Sequence, residues 1–244
     1  MKLLLTNDDG YDAEGLLSLA ETLSKDHEIR ILAPDKERSG VSHAITLVDA
    51  QKIRKVGENS YSCSGTPADC VLLAMLGAID FKPEAVVSGI NRGPNLGTDI
   101  VYSGTCAAAI EAVLCGIPGI AVSCASREKR MRYGAAAEFV HRNLAALVAA
   151  CSDNTFVNVN APSAEKASQI AQWTFPCTRI FGNELKSFSG PDSFEYCFLT
   201  GSASSAKTQE SSDFAAVSMG RISVSPVLVQ PQVPTGFLFE REFS

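Results

Sequence analysis

Short apolar segments alternate with stretches of helical periodicity through residue 162 of this 244-residue chain. Leu3 to Leu5 form the first apolar segment, helical periodicity follows over 14–25, and Ile29 to Ala33 form the next apolar segment. Because strands that alternate with helices pair in parallel, the pattern predicts β-α-β units around a mainly parallel sheet. The predicted fold class is α/β, with a Rossmann-like core of three layers.

The alternation continues along the chain with recognisable helix boundaries. Thr66 is a candidate N-cap, and Pro67 occupies the first helical position, where proline is favoured. The further predicted elements are a strand over 84–90, a helix over 105–116 that ends at Gly116, a strand over 118–124, a helix over 131–151 and a strand over 155–162.

The pattern changes after residue 163, where Gly, Pro and Ser separate shorter extended segments such as "FEYCFLTG" and "GRISVSPVLV". These segments predict hairpins and one short helix. We therefore expect residues 1–163 to form the catalytic α/β core. Residues 164–244 are expected to form a smaller, hairpin-rich region that packs on this core and makes oligomer contacts.

Composition excludes several classes of protein. Lys and Arg number 21 against 27 Asp and Glu, so the net charge of −6 argues against nucleic-acid binding. No apolar run approaches the roughly 18 residues of a membrane span. The eight cysteines include no C-x-x-C pair, and several lie in apolar surroundings, which favours reduced thiols and a cytoplasmic location.

Two adjacent carboxylates, Asp8 and Asp9, follow the first predicted strand, and Gly10 permits a turn there. Open α/β sheets bind their ligands at the carboxyl ends of such strands. Adjacent carboxylates repel each other unless a cation neutralises them, and oxygen ligands favour Mg²⁺ or Mn²⁺. The alternative is a solvated turn in which the aspartates only cap the next helix.

Further loops are expected at the same edge of the sheet. Ser39 follows the second long strand and offers a neutral oxygen, although a simple turn serine is the alternative. Asn91 and Asn95 lie in "SGINRGPNLGTD", whose glycines indicate a close approach of the backbone to a ligand. Local turn bonding is the alternative for both asparagines. The glycine spacing matches neither a dinucleotide fingerprint nor a Walker loop.

Ser103, Gly104 and Thr105 precede an alanine-rich helix. The unpaired N–H groups at such a helix start bind phosphate, and Ser103 or Thr105 also suits an N-cap. His43 is the only histidine near these loops, but it has no G-x-S-x-G elbow and no acid partner identifiable from the sequence. Serine hydrolysis is therefore disfavoured.

Four segments together resemble the SurE (survival protein E) family of metal-dependent nucleotidases and phosphatases. They are "LLLTNDDGYDAEGL", "APDKERSGVSHAITL", "SGTPADCV" and "VVSGINRGPNLGTDIVYSGTCAAAIEA". The resemblance is strong through about residue 125 and looser afterwards, where "SDFAAVSMGRISVSPV" is similar to the closing helix and strand of the family. It implies a phosphoric monoester hydrolase acting on nucleoside 5′- and 3′-monophosphates, with short polyphosphate as a further possible substrate.

The resemblance also implies site residues. One divalent cation per subunit, Mg²⁺ or Mn²⁺, would be held by Asp8, Asp9, Ser39 and Asn91. The phosphate would be bound by Asn95, Ser103, Gly104 and Thr105, and catalysis would involve Asp8, Asp9 and Asn95. No catalytic role is carried over to His43. The family implies a homodimer or homotetramer.

Chemistry in which a metal polarises the phosphoryl group and activates water fits these residues. Asp8 or Asp9 acting as a base or as a nucleophile remains open, although adjacent aspartates do not form the Asp-x-Asp arrangement of aspartyl-phosphate phosphatases. The alternative function is a nucleotide-binding or sensing module that does not turn over its ligand.

Overall fold

A computed structural model describes residues 1–126, 131–164, 170–207 and 209–232. The strands are β1 Lys2–Thr6, β2 Glu28–Pro34, β3 Ile53–Lys55, β4 Ser60–Cys63, β5 Ala85–Arg92, β6 Gly119–Ala125, β7 Thr155–Pro162, β8 Ala171–Trp173, β9 Thr178–Ser189, β10 Glu195–Lys207 and β11 Ile222–Leu228. The helices are α1 Glu14–Leu23, α2 Pro67–Met75, α3 Gly104–Leu114, α4 Gly134–Ala149 and α5 Asp213–Ser218, with a 3₁₀ helix at Gly97–Val101.

Nine strands form the central sheet in the order β3-β4-β2-β1-β5-β6-β7-β11-β8. The six strands from β4 to β7 in this order pair in parallel, whereas β3 is antiparallel to β4 and β11 is antiparallel to β7. The mainly parallel sheet predicted from the sequence is therefore confirmed.

Helices cover both faces of the sheet because successive side chains of a strand point to opposite faces. Leu3 and Leu5 of β1 pack in one cluster with residues of α1 and α4. Leu4 lies between them and packs on the other face with residues of α2 and α3. All three leucines are fully buried. The result is the predicted three-layer α/β arrangement.

The strand order reverses beside β1. From β1 the chain continues outward on one side through β2 and β4, and it later continues outward on the other side through β5, β6 and β7. The chain therefore leaves β1 toward β2 on one side and leaves β5 toward β6 on the other side, so the two loops diverge at the ends of neighbouring strands. Open α/β sheets place their ligands in the crevice at this switch point.

The start of α2 shows how local sequence determines an element. Thr66 Oγ1 accepts a hydrogen bond from the Asp69 N–H at 3.1 Å, and Asp69 Oδ2 accepts one from the Thr66 N–H at 2.9 Å. Pro67 occupies the first helical position. This reciprocal capping box satisfies two N–H groups that a helix start otherwise leaves unpaired, which confirms the predicted start of the helix.

The chain after residue 163 contributes to two structures. Strands β8 and β11 extend the central sheet, whereas β9 and β10 form a separate antiparallel hairpin. The sequence predicts the β9–β10 hairpin and the short helix α5, but it does not predict the small β3–β4 hairpin. Residues on both sides of the predicted boundary at 163/164 share the central sheet, and the division into two domains stays a prediction.

All eight cysteines are free thiols, and Cys63, Cys70, Cys106, Cys124 and Cys177 are buried. Within the described ranges, no helix combines the length and the apolar character that crossing a bilayer requires.

Candidate active site at the ends of β1 and β5

A tight turn after β1 presents the two aspartates. The Asn7 side chain donates to the Gly10 carbonyl oxygen at 2.8 Å and accepts from the Gly10 N–H at 3.2 Å. Gly10 has φ +115°, a left-handed conformation that side chains disfavour. Asp8 and Asp9 lie inside this turn, and Asp8 is only 4 % exposed.

Asp8 lies against the start of α3. The Thr105 hydroxyl donates to Asp8 Oδ1 at 2.5 Å, and the Thr105 N–H donates to Asp8 Oδ2 at 3.2 Å. Ser103 caps the helix, since its Oγ accepts from the Cys106 N–H at 3.0 Å. A Cβ added to Gly104 would lie 2.9 Å from Asp8 Cβ, so only glycine fits between the helix and the carboxylate.

This arrangement brings Ser103, Gly104 and Thr105 together with Asp8, but it differs from the sequence expectation in one respect. The sequence predicted an unpaired Thr105 N–H that would be available to phosphate. In the structure that N–H and the Thr105 hydroxyl both donate to Asp8. The start of α3 therefore donates hydrogen bonds to Asp8 through Thr105, and the role of Thr105 in phosphate binding stays a prediction.

The electrostatics of the pair favour a cation. Burial raises the pKa of Asp8 despite the hydrogen bonds from Thr105, which act in the opposite direction. Burial, together with the neighbouring Asp8 charge, raises the pKa of Asp9 to about 6. Two carboxylates that resist ionisation for these reasons become stable anions when a positive charge neutralises them.

The end of β5 brings Asn91 to Asp9. Asp9 Oδ2 accepts from the Arg92 N–H at 3.1 Å, which fixes the adjacent residue Asn91 beside the carboxylate pair. The Asn91 side-chain N–H donates to the Gly93 carbonyl oxygen at 2.9 Å, and this orientation fixes which side-chain atom is the nitrogen. Gly93, with φ +119°, turns the chain sharply after the strand.

Ser39 is placed near the site, but its hydroxyl points elsewhere. The preceding residue, Arg38, donates its backbone N–H to the Asp8 carbonyl oxygen at 2.7 Å. The Ser39 hydroxyl donates to Glu37 Oε1 at 2.8 Å, and the residue is exposed. The structure therefore brings the predicted loop to Asp8 without directing Ser39 Oγ at the carboxylates, and the role of Ser39 as a ligand stays a prediction.

Asn95 is held by a buried polar network. Its backbone N–H donates to Asn160 Oδ1 at 2.9 Å, and its carbonyl oxygen accepts from the side chains of Asn158 and Asn160 at 2.8 and 3.1 Å. The Asn95 side chain donates to Ser123 Oγ at 2.9 Å. All four residues are at most 7 % exposed, so the network fixes Asn95 in one position.

Sequence reasoning missed Asn158, Asn160 and Ser123. The signal was present in "TFVNVNAP", where two asparagines alternate with valine on an otherwise apolar strand and therefore share a face. It also missed a partner for His43, whose Nε2 lies 2.8 Å from Glu111 Oε2 on α3. Residues 43 and 111 are 68 positions apart in sequence, so spacing could not have paired them.

Two cavities adjoin residues of the site. A cavity of about 410 Å³ is lined by Asp9, Glu37, Arg92 and Tyr133, among others. A second cavity of about 310 Å³, largely apolar, is bordered by Ser103. Within the part of the chain that the structure describes, no three His, Cys, Asp or Glu side chains cluster as metal ligands, so a metal here would depend on two carboxylates and neutral oxygens.

Comparison with known proteins assigns the chain to a family. The sequence model described as "Survival protein SurE" matches residues 3–185. The proteins named 5′-nucleotidase SurE from Geotalea daltonii and from Thermoanaerobacter sp. are 42 % and 40 % identical over 230 and 234 residues, covering 93 % of this chain and 92 % of each relative. The crystal structure of the SurE protein from Aquifex aeolicus superposes with a TM-score of 0.82 at 32 % identity and covers 95 % of both chains. The chain belongs to the SurE family.

Proposed function

We propose that this protein is a metal-dependent nucleotidase that hydrolyses nucleoside 5′-monophosphates, and also 3′-monophosphates, to nucleoside and phosphate. It is a phosphoric monoester hydrolase, and relatives about 40 % identical along most of its length are named 5′-nucleotidase. Short polyphosphate is a further proposed substrate. The observation that carries the proposal is the Asp8 carboxylate bound by the start of α3, with Asp9 and Asn91 beside it.

The residues present fit a Mg²⁺ or Mn²⁺ ion. The donor set is two carboxylates and neutral oxygens, which is the set that hard divalent cations prefer. Asp8 Oδ1 and Oδ2 each accept one hydrogen bond from Thr105, and an ionised carboxylate has lone pairs left for a metal. Asp8, Asp9 and Asn91 would hold the ion, and Ser39 would join them after its hydroxyl leaves Glu37.

A bound divalent cation supplies Lewis-acid polarisation of the phosphoryl group and lowers the pKa of water. The protein residues perform the remaining tasks. Thr105 orients Asp8 through two hydrogen bonds, which favour the ionised carboxylate and partly offset the effect of burial. Asn95 is fixed by Ser123, Asn158 and Asn160, and its side-chain amide, which uses one N–H on Ser123, would donate the other N–H to a phosphoryl oxygen. Ser103 and Gly104, the N-cap and the first residue of α3, would lie beside the bound phosphate.

We propose that the protein assembles as a homodimer or homotetramer in the cytoplasm. The β9–β10 hairpin carries many exposed apolar side chains, including Leu185, Phe194 and Leu199, which are 69 %, 69 % and 79 % exposed. Exposed apolar groups on a hairpin need a partner surface. The eight free thiols support a reducing compartment.

The test is phosphate release from a panel of nucleoside 5′- and 3′-monophosphates and short polyphosphate, measured with Mn²⁺, with Mg²⁺ and with a chelator. We expect release from nucleoside 5′-monophosphates that requires the metal. Binding of nucleotide without release would instead support the sensing module. Release that the chelator does not reduce would contradict the metal site.

A further inference from the structure

Asp213, the first residue of α5, connects the C-terminal segment to the loop from Asn95 to Gly97. Its side chain is fully buried. Oδ2 accepts from the Gly97 N–H at 2.7 Å, whereas Oδ1 accepts from the N–H groups of Cys177 and Phe214 at 3.0 and 2.7 Å. One carboxylate thus joins three parts of the chain: Gly97, which lies two residues after Asn95, Cys177, and the start of α5.

The contact between these segments is tight. Gly97 has φ +52°, and a Cβ at this position would overlap the carbonyl oxygen of Cys177. One residue further, Thr98 Oγ1 accepts from the Arg179 N–H at 3.0 Å. The loop after Asn95 therefore lies directly on the chain that enters β9, and little displacement is possible while Asp213 bridges them.

A buried arginine makes a second connection to the same loop. Arg179 is 7 % exposed, its guanidinium lies 5.0 Å from the centre of the Phe214 ring, and its Nε lies 3.4 Å from Asp99 Oδ2. The same Asp99 oxygen accepts from the Leu96 N–H at 3.2 Å. The loop is consequently fixed from the C-terminal segment at Leu96, Gly97 and Thr98.

We propose that Asp213 is a positioning residue for the phosphate site, whose carboxylate holds the loop from Asn95 to Gly97 where Asn95 meets the phosphoryl group. Asn158 and Asn160 hold Asn95 from the central sheet, and Asp213 holds the loop from the other side. The inference rests on the proposed function, because that function assigns Asn95 to the phosphate. Small displacements of such a group reduce the rate strongly.

The hydrogen bonds suggest a selective variant, Asp213→Asn. Oδ1 accepts hydrogen bonds from two N–H groups and Oδ2 accepts one. The amide oxygen of the variant is therefore expected to keep the two hydrogen bonds from the N–H groups of Cys177 and Phe214. The amide nitrogen then opposes the Gly97 N–H, and two donors cannot bond to each other. The loop is released while the start of α5 keeps its contacts.

Asp192→Asn is the matched control, because Asp192 is an exposed aspartate in the same C-terminal region. Its carboxylate accepts a hydrogen bond from the Tyr196 hydroxyl at 2.5 Å within the β9–β10 turn. This bond is not connected to the hydrogen bonds that hold Gly97. Phosphate release from a nucleoside 5′-monophosphate with Mn²⁺ gives kcat and KM for both variants. We expect kcat of Asp213→Asn to fall roughly tenfold or more with KM changed far less. We expect the control to match the wild type, and wild-type kcat in Asp213→Asn would overturn the proposal.

Hydrogen–deuterium exchange provides a readout that does not depend on activity. Peptides covering residues 95–101 should exchange at least several-fold faster in Asp213→Asn than in the wild type, and the central strands should be unchanged. Unchanged exchange at 95–101, or a uniform increase across the core, would overturn the positioning role. If the wild-type protein releases no phosphate from any nucleotide, the proposed function fails, and the exchange pattern alone still decides whether Asp213 holds the loop.

Discussion

At the scale of single residues, the site depends on a carboxylate that is almost entirely removed from water. Ionising a buried carboxylate is costly unless hydrogen bonds and positive charge compensate. Thr105 supplies two hydrogen bonds to Asp8, and the adjacent Asp9 adds a second negative charge. A bound divalent cation would supply the remaining compensation, and this is the physical basis of the metal site that we propose.

Asp9→Asn tests this interpretation in two directions. Turnover should fall by at least a hundredfold at saturating Mn²⁺, since a charged ligand is lost from the site. In metal-free protein, urea denaturation should show the variant at least as stable as the wild type, because the substitution removes a like-charge repulsion. Asp49→Asn, at an exposed loop position, is the control and should match the wild type in turnover and in stability to urea.

Thr105 tests the hydroxyl that orients Asp8. Thr105→Val keeps the shape and the N–H but removes the hydroxyl, which costs about 1.5 to 3 kcal/mol for a hydrogen bond to a charged group. We expect kcat/KM to fall roughly tenfold or more as Asp8 loses its orientation. Thr105→Ser keeps the hydroxyl and should remain close to wild type in the same kinetic assay. Equal rates for the Ser and Val variants would show that the hydroxyl does not act on Asp8.

At the scale of elements, the loop that carries Ser39 is attached to the start of α2. Asp69 accepts from the Thr46 N–H at 2.9 Å and from the Thr46 hydroxyl at 2.7 Å, in addition to its bond with Thr66. Burial opposes ionisation, but these hydrogen bonds outweigh it and hold the pKa of Asp69 below the usual value of an aspartate. The carboxylate therefore stabilises the fold only when it is ionised.

Asp69→Ala should lower the free energy of unfolding by about 2 kcal/mol or more at neutral pH. Because the pKa of Asp69 is lower in the folded state than in the unfolded state, its contribution is fully present above about pH 4 and is lost as pH falls through the folded value. Denaturation of both proteins from pH 7 to pH 3 should show the difference shrinking. A difference independent of pH would contradict the assignment.

The elements also show what the sequence can predict. The helices α1, α2 and α3 begin within one residue of their predicted positions, because periodicity and caps are local signals. Asp213 and Glu111 contact the site or its loops across 116 and 68 residues of chain, and no local pattern encodes such pairs. The three-residue strand β3 was missed for a related reason, since its pairing with β4 comes from the tertiary structure.

At the scale of the whole molecule, β8 and β11 extend the central sheet, and the β9–β10 hairpin lies outside that sheet. Because exposed apolar side chains of the hairpin need a partner surface, light scattering should return the mass of a dimer or a tetramer of 25.9 kDa subunits. Leu199→Lys places a charge on the exposed apolar surface of the hairpin and should shift the population toward monomer. A wild-type monomer at micromolar concentration would contradict the proposed assembly.

We propose that Asp8 and Asp9 bind a divalent cation that hydrolysis requires. The most direct measurement is phosphate release from a nucleoside 5′-monophosphate by metal-depleted protein, followed by addition of Mn²⁺, with Asp9→Asn measured alongside. We predict no release from the depleted protein, recovery of release on adding Mn²⁺ and no recovery in the variant. Undiminished phosphate release after metal depletion, or full recovery in Asp9→Asn, would contradict a metal site at Asp8 and Asp9.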